Sequence, residues 1–324
     1  MTLAQRPIEI GLNAAIVAVA DRQPLILVVN DDTLPYGPFD PVAHRTFDTG
    51  LRAWVAEQTG LRLGYAEQLY TFGDRGRHAV AGDVGPHLVS VGYLALTRSD
   101  DGSAEGLERA GASWRAWYEF FPWEDWRGGR PPILDEALLP AVERWSRSRD
   151  SAGESQPLGR RERVRLAFGE SEGERTVRWD EERALDRYEL LYEAGIVAEA
   201  ARDGRPASSA SGGVPSGRAM RFDHRRILAT AISRLRAKLK YRPVVFELMA
   251  ETFTLTELQR TVEAISGRHV HKQNFRRLVE GASLVEPTGA TTQQGRGRPA
   301  ALFRFRREVL KERPAPGVRF GVRA

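Results

Sequence analysis

The 324-residue chain has no cysteine, which excludes a disulfide scaffold, a thiol nucleophile and any thiolate-held zinc or iron–sulfur site. It has no apolar run near the ~20 residues that a membrane span requires, so no membrane partner is expected. The first residues lack a signal-peptide pattern: Arg6 is the only early basic residue and Glu9 interrupts the apolar stretch. A cytoplasmic protein is expected. His44, His78 and His87 fall in expected loops without ligand spacing, so no metal site is expected among them. There is no internal repeat. Lysine is scarce, and all four (Lys238, Lys240, Lys272 and Lys311) lie in the last third.

What is present is ordinary in amount and uneven in placement. Apolar residues make up 41% and charged residues 28%, values for a globular chain with a real core. The length suits two or three domains. The net charge is +5 overall, yet from Arg221 onward 22 Lys and Arg stand against 9 Asp and Glu. That region carries +13 and the first 220 residues carry −8. The asymmetry points to a polyanion-binding C-terminal module on an acidic body.

Two polar, small-residue stretches divide the chain. Residues 146–160 lack apolar periodicity, and residues 202–218 (RDGRPASSASGGVPSGR) are expected to be flexible. Between them, Leu185, Tyr188, Leu191, Tyr192 and Ile196 recur at helical spacing and predict one amphipathic helix in need of a partner. Upstream, Ala14–Ala20 and Leu25–Val29 read as a hairpin, and Leu88–Leu96 as a buried strand. Ser113–Phe121 reads as an aromatic strand. Helices are predicted over Phe47–Gly60, with Gly60 as its stop, and over Leu134–Trp145.

Hairpin, loop, helix and then Glu57-Gln58-Thr59-Gly60-Leu61 resemble the core of a Nudix domain. Residues 67–74 (EQLYTFGD) resemble the segment just after the signature in ADP-ribose-type members. The resemblance implies a helix whose glutamates hold magnesium on a diphosphate. With Gly60 and Leu61 as anchors, Phe39 stands at the first glycine and Arg45 at the first glutamate. Ala53 and Trp54 replace the Arg-Glu pair, and Glu57 and Gln58 replace the Glu-Glu pair. One glutamate beside an arginine cannot gather several hard cations, so no catalytic residues and no cofactor are expected. The pocket is expected to keep an effector nucleotide such as ATP, NAD or ADP-ribose. Its candidate residues are Arg45 and Glu57, with Trp114 and Trp117 as stacking rings; Arg45 reads equally as a solvated surface arginine, and the tryptophans as core.

The last hundred residues are the most informative. Residues 222–241 form an amphipathic pattern, with Ile227, Leu228, Ile232, Leu235 and Leu239 on one face and basic residues elsewhere. Thr254 and Glu257 form a capping box ahead of a second helix that stops at Gly267. A short turn over 268–271 leads to a third helix, Lys272–Glu280. Phe275, Leu278 and Val279 face inward. Lys272, Gln273, Arg276 and Arg277 face outward with Asn274 at the margin, residue types that suit a recognition helix in a major groove. Residues 284–288 and 301–307 read as two strands of a wing carrying Arg304. The loop between them ends in Gly295-Arg296-Gly297-Arg298-Pro299, which resembles an AT-hook core and would place Arg296 and Arg298 in a minor groove.

The order of parts, with YRPVVFELM, FTLTELQ, KQNFRRLVEG, LVEPTG and GRPAALFRFR, resembles the NrtR family of Nudix-related transcriptional regulators, with NadQ-type repressors of NAD biosynthesis as the nearest group. The resemblance implies an α+β chain in three parts. These are a Nudix-like α/β sandwich that binds an effector (1–145), a partly helical insertion with flexible linkers (146–220), and a linker helix with a winged helix-turn-helix (221–324). It also implies a non-enzymatic repressor that binds double-stranded DNA at a palindromic operator as a homodimer. The competing reading is an active ADP-ribose or nucleoside diphosphate hydrolase with a basic regulatory tail; the missing carboxylates count against it.

Overall fold

The two apolar runs separated by Asp21, Arg22 and Gln23 fold as a hairpin. The computed structural model describes residues 7–74, 77, 85–99, 104–148, 158–172, 175–205, 214–240, 242–292 and 299–312. Strands β1 (Ile8–Ala20) and β2 (Gln23–Val29) pair antiparallel up to Ala20↔Gln23. Asp21 and Arg22 form the two-residue loop at φ 48° and 65°, the left-handed geometry that matches strand twist in a tight hairpin. β3 (Tyr36–Pro38) adds to β1 through Leu12↔Gly37. Helix α1 (Phe47–Thr59) comes next, capped by Thr46 and stopped at Gly60. β4 (Tyr65–Phe72) and β5 (His87–Leu96) then complete one flank, with β5 parallel to β1 from Ile8↔His87 to Val17↔Leu96. After α2 (Ala104–Arg109), β6 (Ala112–Ala116) pairs with β2. The sheet order is β4-β5-β1-β2-β6, with β3 attached to β1.

The two-residue period of β1 sorts its side chains between two cores. Leu12, Ala14 and Ile16 join Leu51 and Val55 of α1 on one face. Ala15 and Val17 face a larger helical layer on the other. The expected aromatic strand 113–121 is shorter than its pattern suggested. β6 ends at Ala116, opposite Leu25, and Trp117–Glu119 turns away as a 3-10 helix. The next partner position on β2 is Pro24, which has no N–H to offer a continuing ladder. Trp117, Phe120, Phe121 and Trp123 are then fully buried against the helical layer.

Within that layer the inserted segment holds more helices than the single one expected. The 134–145 helix appears as a π-turn leading into α3 (Leu139–Arg147). It is followed by α4 (Arg160–Phe168), a small hairpin of β7 (Glu170–Glu172) and β8 (Arg175–Val177), α5 (Ala184–Glu193) and α6 (Ala198–Arg202). The partner of α5 is α7 (His224–Leu239), the long helix read from residues 222–241. Of the stretch expected to be flexible, residues 206–213 lie outside the described residues. Residues 214–218 are built in: Arg218 N–H donates to Glu119 O at 2.8 Å, and Ser216 O accepts from Arg225.

α7 is buried on both sides rather than on one. Its apolar residues meet the sheet and α5, and the basic residues expected outside include two that are fully enclosed, Arg225 and Arg236. Its N-terminal end is fixed to the sheet by His224. Leu34 N–H donates to Nδ1 at 2.9 Å, so Nε2 carries the hydrogen that reaches Asn13 Oδ1, also at 2.9 Å. Beyond it come α8 (Leu255–Ser266), α9 (Lys272–Gly281), β9 (Val285–Thr292), β10 (Ala300–Phe305) and the short α10 (Val309–Glu312). Among the described residues no helix is long and apolar enough to cross a membrane.

Asp223, at the head of α7, gives a first expected result. Burial pushes its carboxyl up from 3.8 to about 6, against the pull of Arg226 and Arg77 and with a further push from Glu189. The native state therefore holds this proton more tightly than the unfolded chain. The stabilisation is complete below pH 4 and is lost as pH rises through about 6. Asp223→Asn, which removes the buried charge, should raise stability at pH 8 by on the order of 2–3 kcal/mol and change little at pH 4. Thermal melts across that range test it; an equal shift at every pH would contradict the assignment.

Candidate nucleic-acid interface and effector site

The helix-turn-helix is built from local signals that the sequence displays openly. Thr254 accepts from Glu257 N–H at 3.2 Å, and the Glu257 carboxylate accepts from Thr254 N–H at 2.7 Å, closing the capping box. α8 ends at Gly267 in the left-handed region, φ 72°. The turn is held by Glu263, whose Oε1 accepts from Val270 N–H at 2.9 Å and from Gln259 at 3.0 Å. In α9, Phe275 and Val279 are buried, while Lys272, Gln273, Asn274, Arg276 and Arg277 are all exposed. Among the described residues no acidic side chain pairs with any of the three basic ones. The five form one outward surface, with cations for phosphate and amide or guanidinium groups for base edges.

The wing pairs Phe303 with Pro287 and Phe305 with Val285; β9 runs to Thr292, beyond the expected 288, whereas β10 ends at Phe305, short of the expected 307. Phe253 bridges it, exchanging backbone hydrogen bonds with Phe303 at 2.8 and 2.9 Å, and Phe305 stacks on Phe246 at 4.3 Å. Arg304 is exposed but engaged, donating to Glu286 at 2.5 Å across the strands. Arg296 and Arg298 lie outside the described residues.

The effector residues read from the sequence do not converge. Arg45 is exposed ahead of α1 and Glu57 is exposed in its last turn, roughly 15 Å or more apart by helical rise. Trp114 is half-buried on the α1 face of the sheet, its Nε1 enclosed without a partner. Trp117 must be withdrawn as a stacking ring: it is fully buried on the opposite face, edge-on to Tyr118. Its position just past the end of β6 turns it into the helical core.

The replaced glutamate positions have acquired another task. Trp54 Nε1–H donates to Pro38 O at 2.9 Å, and its ring lies where a Cβ on Gly37 would stand, 2.2 Å away. Only glycine permits that approach. Gln58 accepts from Tyr36 N–H at 3.0 Å and donates to Tyr36 O at 2.6 Å. Both side chains thus clamp α1 to β3. Among the described residues no three His, Asp or Glu side chains gather as a metal site.

Sequence reasoning missed the charged interior that joins these parts. Glu124, fully buried, accepts from Arg187 of α5 at 2.6 and 2.9 Å and from Arg236 of α7 at 2.5 Å. Burial alone would raise its pKa, but the two guanidiniums hold it below the ordinary carboxylate range. Arg187 also donates to Ala167 O and Asp180 O, and Arg236 to Ile265 O at 2.9 Å at the end of α8. A second buried pair, Arg225–Glu199 at 3.2 Å, ties α7 to α6. A signal existed: Arg225 and Arg236 are eleven residues apart, about three turns, which puts both within the apolar stripe rather than opposite it.

The chain is similar to known proteins in both sequence and fold. Residues 245–305 match the family model of the NrtR DNA-binding winged helix domain. Over 84 residues the chain is 42% identical to the ADPR responsive transcriptional repressor NtrR of Acinetobacter baylyi, covering 26% of this chain and 33% of that protein. The match thus spans about a third of that relative's length. The Shewanella oneidensis NrtR crystal structure in complex with a 27mer DNA is similar at TM-score 0.54 and 20% identity, over 93% of this chain and 95% of that one. The same protein without DNA gives 0.53 and 19%, with the same coverage. The fold is therefore that of NrtR, an α/β sandwich and a winged helix-turn-helix in one chain, and the α+β architecture is as expected from the sequence.

Proposed function

From an NrtR-family winged helix joined to a Nudix-type sandwich, we propose that this protein is a transcriptional repressor whose sandwich senses ADP-ribose or a related nucleotide such as ATP or NAD. In this reading residues 1–145 sense, residues 221–324 read DNA, and residues 146–220 are inserted between them. The protein acts in the cytoplasm as a homodimer on a palindromic operator and controls genes of NAD biosynthesis. The observation that carries the reading is the exposed face of α9, with Lys272, Gln273, Asn274, Arg276 and Arg277 together on a capped and buried scaffold. The 42% identical relative is named as ADPR responsive, which supports the choice of effector. Arg45 and the half-buried Trp114 are the residues proposed to meet its diphosphate and its base, which requires the bound ligand to draw the two together.

The sandwich is taken as a sensor rather than a hydrolase because Trp54 and Gln58 are spent on holding β3. Glu57 alone cannot collect the cations that diphosphate cleavage needs. The test has two arms on one preparation. Arg276→Ala and Gln273→Ala should each cost roughly 1–3 kcal/mol on a selected duplex and little on random DNA. Lys272→Ala should weaken both about equally and lower the salt dependence. ADP-ribose with magnesium or manganese should show no turnover. Equal losses on random DNA for all three variants would refute the recognition helix, and turnover abolished by Glu57→Gln would restore the hydrolase.

A further inference from the structure

The helix-turn-helix is not tethered to the sandwich by α7 alone. Four segments converge on one buried point: the chain after β6 through Glu124, α5 through Arg187, α7 through Arg236, and the end of α8 through Ile265 O. Around it, Tyr118 Oη donates to Ala264 O at 2.8 Å and Trp126 N–H donates to Gly267 O at 2.8 Å. A Cβ on Gly267 would lie 2.4 Å from Glu124 O, so the α8–α9 turn rests directly on the sandwich. On the other side, Arg268 donates to Trp179 O at 2.9 Å and its Nε lies 3.9 Å from Glu181, which also holds Lys240 at 3.3 Å. Recognition helix α9 starts four residues after Arg268.

We propose that this buried junction, with Arg268 pinned to Trp179 and Glu181 beside it, positions the α8–α9 turn and transmits effector binding from the sandwich to α9. The proposal rests on the sensing function above and assigns the inserted segment a role: Trp179, Glu181 and Arg187 all belong to it. The physical reason is that enclosed charges have no water to replace a lost partner, so the segments that share them must move together or break several hydrogen bonds at once. An effector can change DNA affinity only through its different affinity for two arrangements of the sandwich. Glu124 lies just beyond β6, so a shift of that sheet edge reaches Arg236, Ile265 and the turn by direct contact. Glu124, Arg187, Glu181 and Arg268 act as positioning residues.

The decisive measurement is the ratio of DNA dissociation constants with and without saturating ADP-ribose, taken on a duplex selected by the intact protein from a random pool. Wild type should show a change of about tenfold or more. Arg268→Ala and Glu181→Gln remove contacts at the half-buried rim, so both should fold; circular dichroism checks this. In each, the ratio should fall below about threefold while calorimetric ADP-ribose affinity of the DNA-free protein stays at the wild-type value. Arg268→Lys, which keeps the charge but not the fork, should recover only part of the ratio. Variants that weaken DNA binding equally with and without ADP-ribose would make the junction merely structural and overturn the proposal. A wild type that binds the duplex and ignores ADP-ribose would refute the sensing function itself, and the proposal with it.

Discussion

Glu124→Ala is expected to be the most damaging single change in the chain. It leaves Arg187 and Arg236 enclosed, with side-chain exposures of 0% and 1%, and without their shared counter-charge. Breaking a buried pair in this way costs roughly 3–5 kcal/mol, because the remaining charge can neither hydrate nor shed its proton. For a chain of this size that is a loss of roughly 4–8 °C in melting temperature. Arg147→Ala is the control. Its partner Glu143 is one turn away, both side chains are about half exposed or more, and the loss should stay within about 0.5 kcal/mol. Thermal melts of the three proteins decide the matter; a Glu124→Ala protein that melts alongside the control would mean that water reaches the junction.

Cutting the chain ahead of Met220 should have a comparably large effect. The segment from Met220 to Ala324 contains the whole winged helix, yet α7 would lose the sheet and α5 together. Leu228, Ala229, Ile232 and Leu235 would be exposed, as would Arg225 and Arg236, now without Glu199 and Glu124. A helix buried on nearly every side would expose its apolar stripe and its enclosed arginines together. The fragment is expected to aggregate or to show no cooperative melt by circular dichroism. A soluble fragment with a sharp transition and DNA affinity would show that α7 belongs to the DNA-reading unit alone.

What could be read from the sequence was whatever local chemistry writes into a short window. The Thr254–Glu257 box, the Gly60 and Gly267 stops and the Asp21–Arg22 loop each involve residues within a few positions of one another, so spacing reveals them. The outward set on α9 was legible for the same reason, because Phe275 and Val279 fix the inward side. The end of β6 was not, since it depends on Pro24 of a different strand. Trp54 and Gln58 could be recognised as lost carboxylates, but their grip on Tyr36 and Pro38 needs the β1–β3 register. The Glu124 junction was the least legible: its partners lie 63 and 112 residues away, and no periodicity encodes a contact at that distance.

The parallel pairing of β1 with β5 also dictates an order of events at the ribosome. The central strand of the sheet emerges ahead of its other strands, but its ten-residue register with β5 cannot close until Leu96 has been made. Long-range pairing of this kind is slow and leaves apolar surface bare in the interval. The β1–β2 hairpin can form early and give β1 one neighbour while it waits. The second face of the sheet is not covered until α7 (His224–Leu239) arrives, more than a hundred residues after β5. Helper chaperones that shield nascent hydrophobic surface should therefore hold this chain until α7 docks.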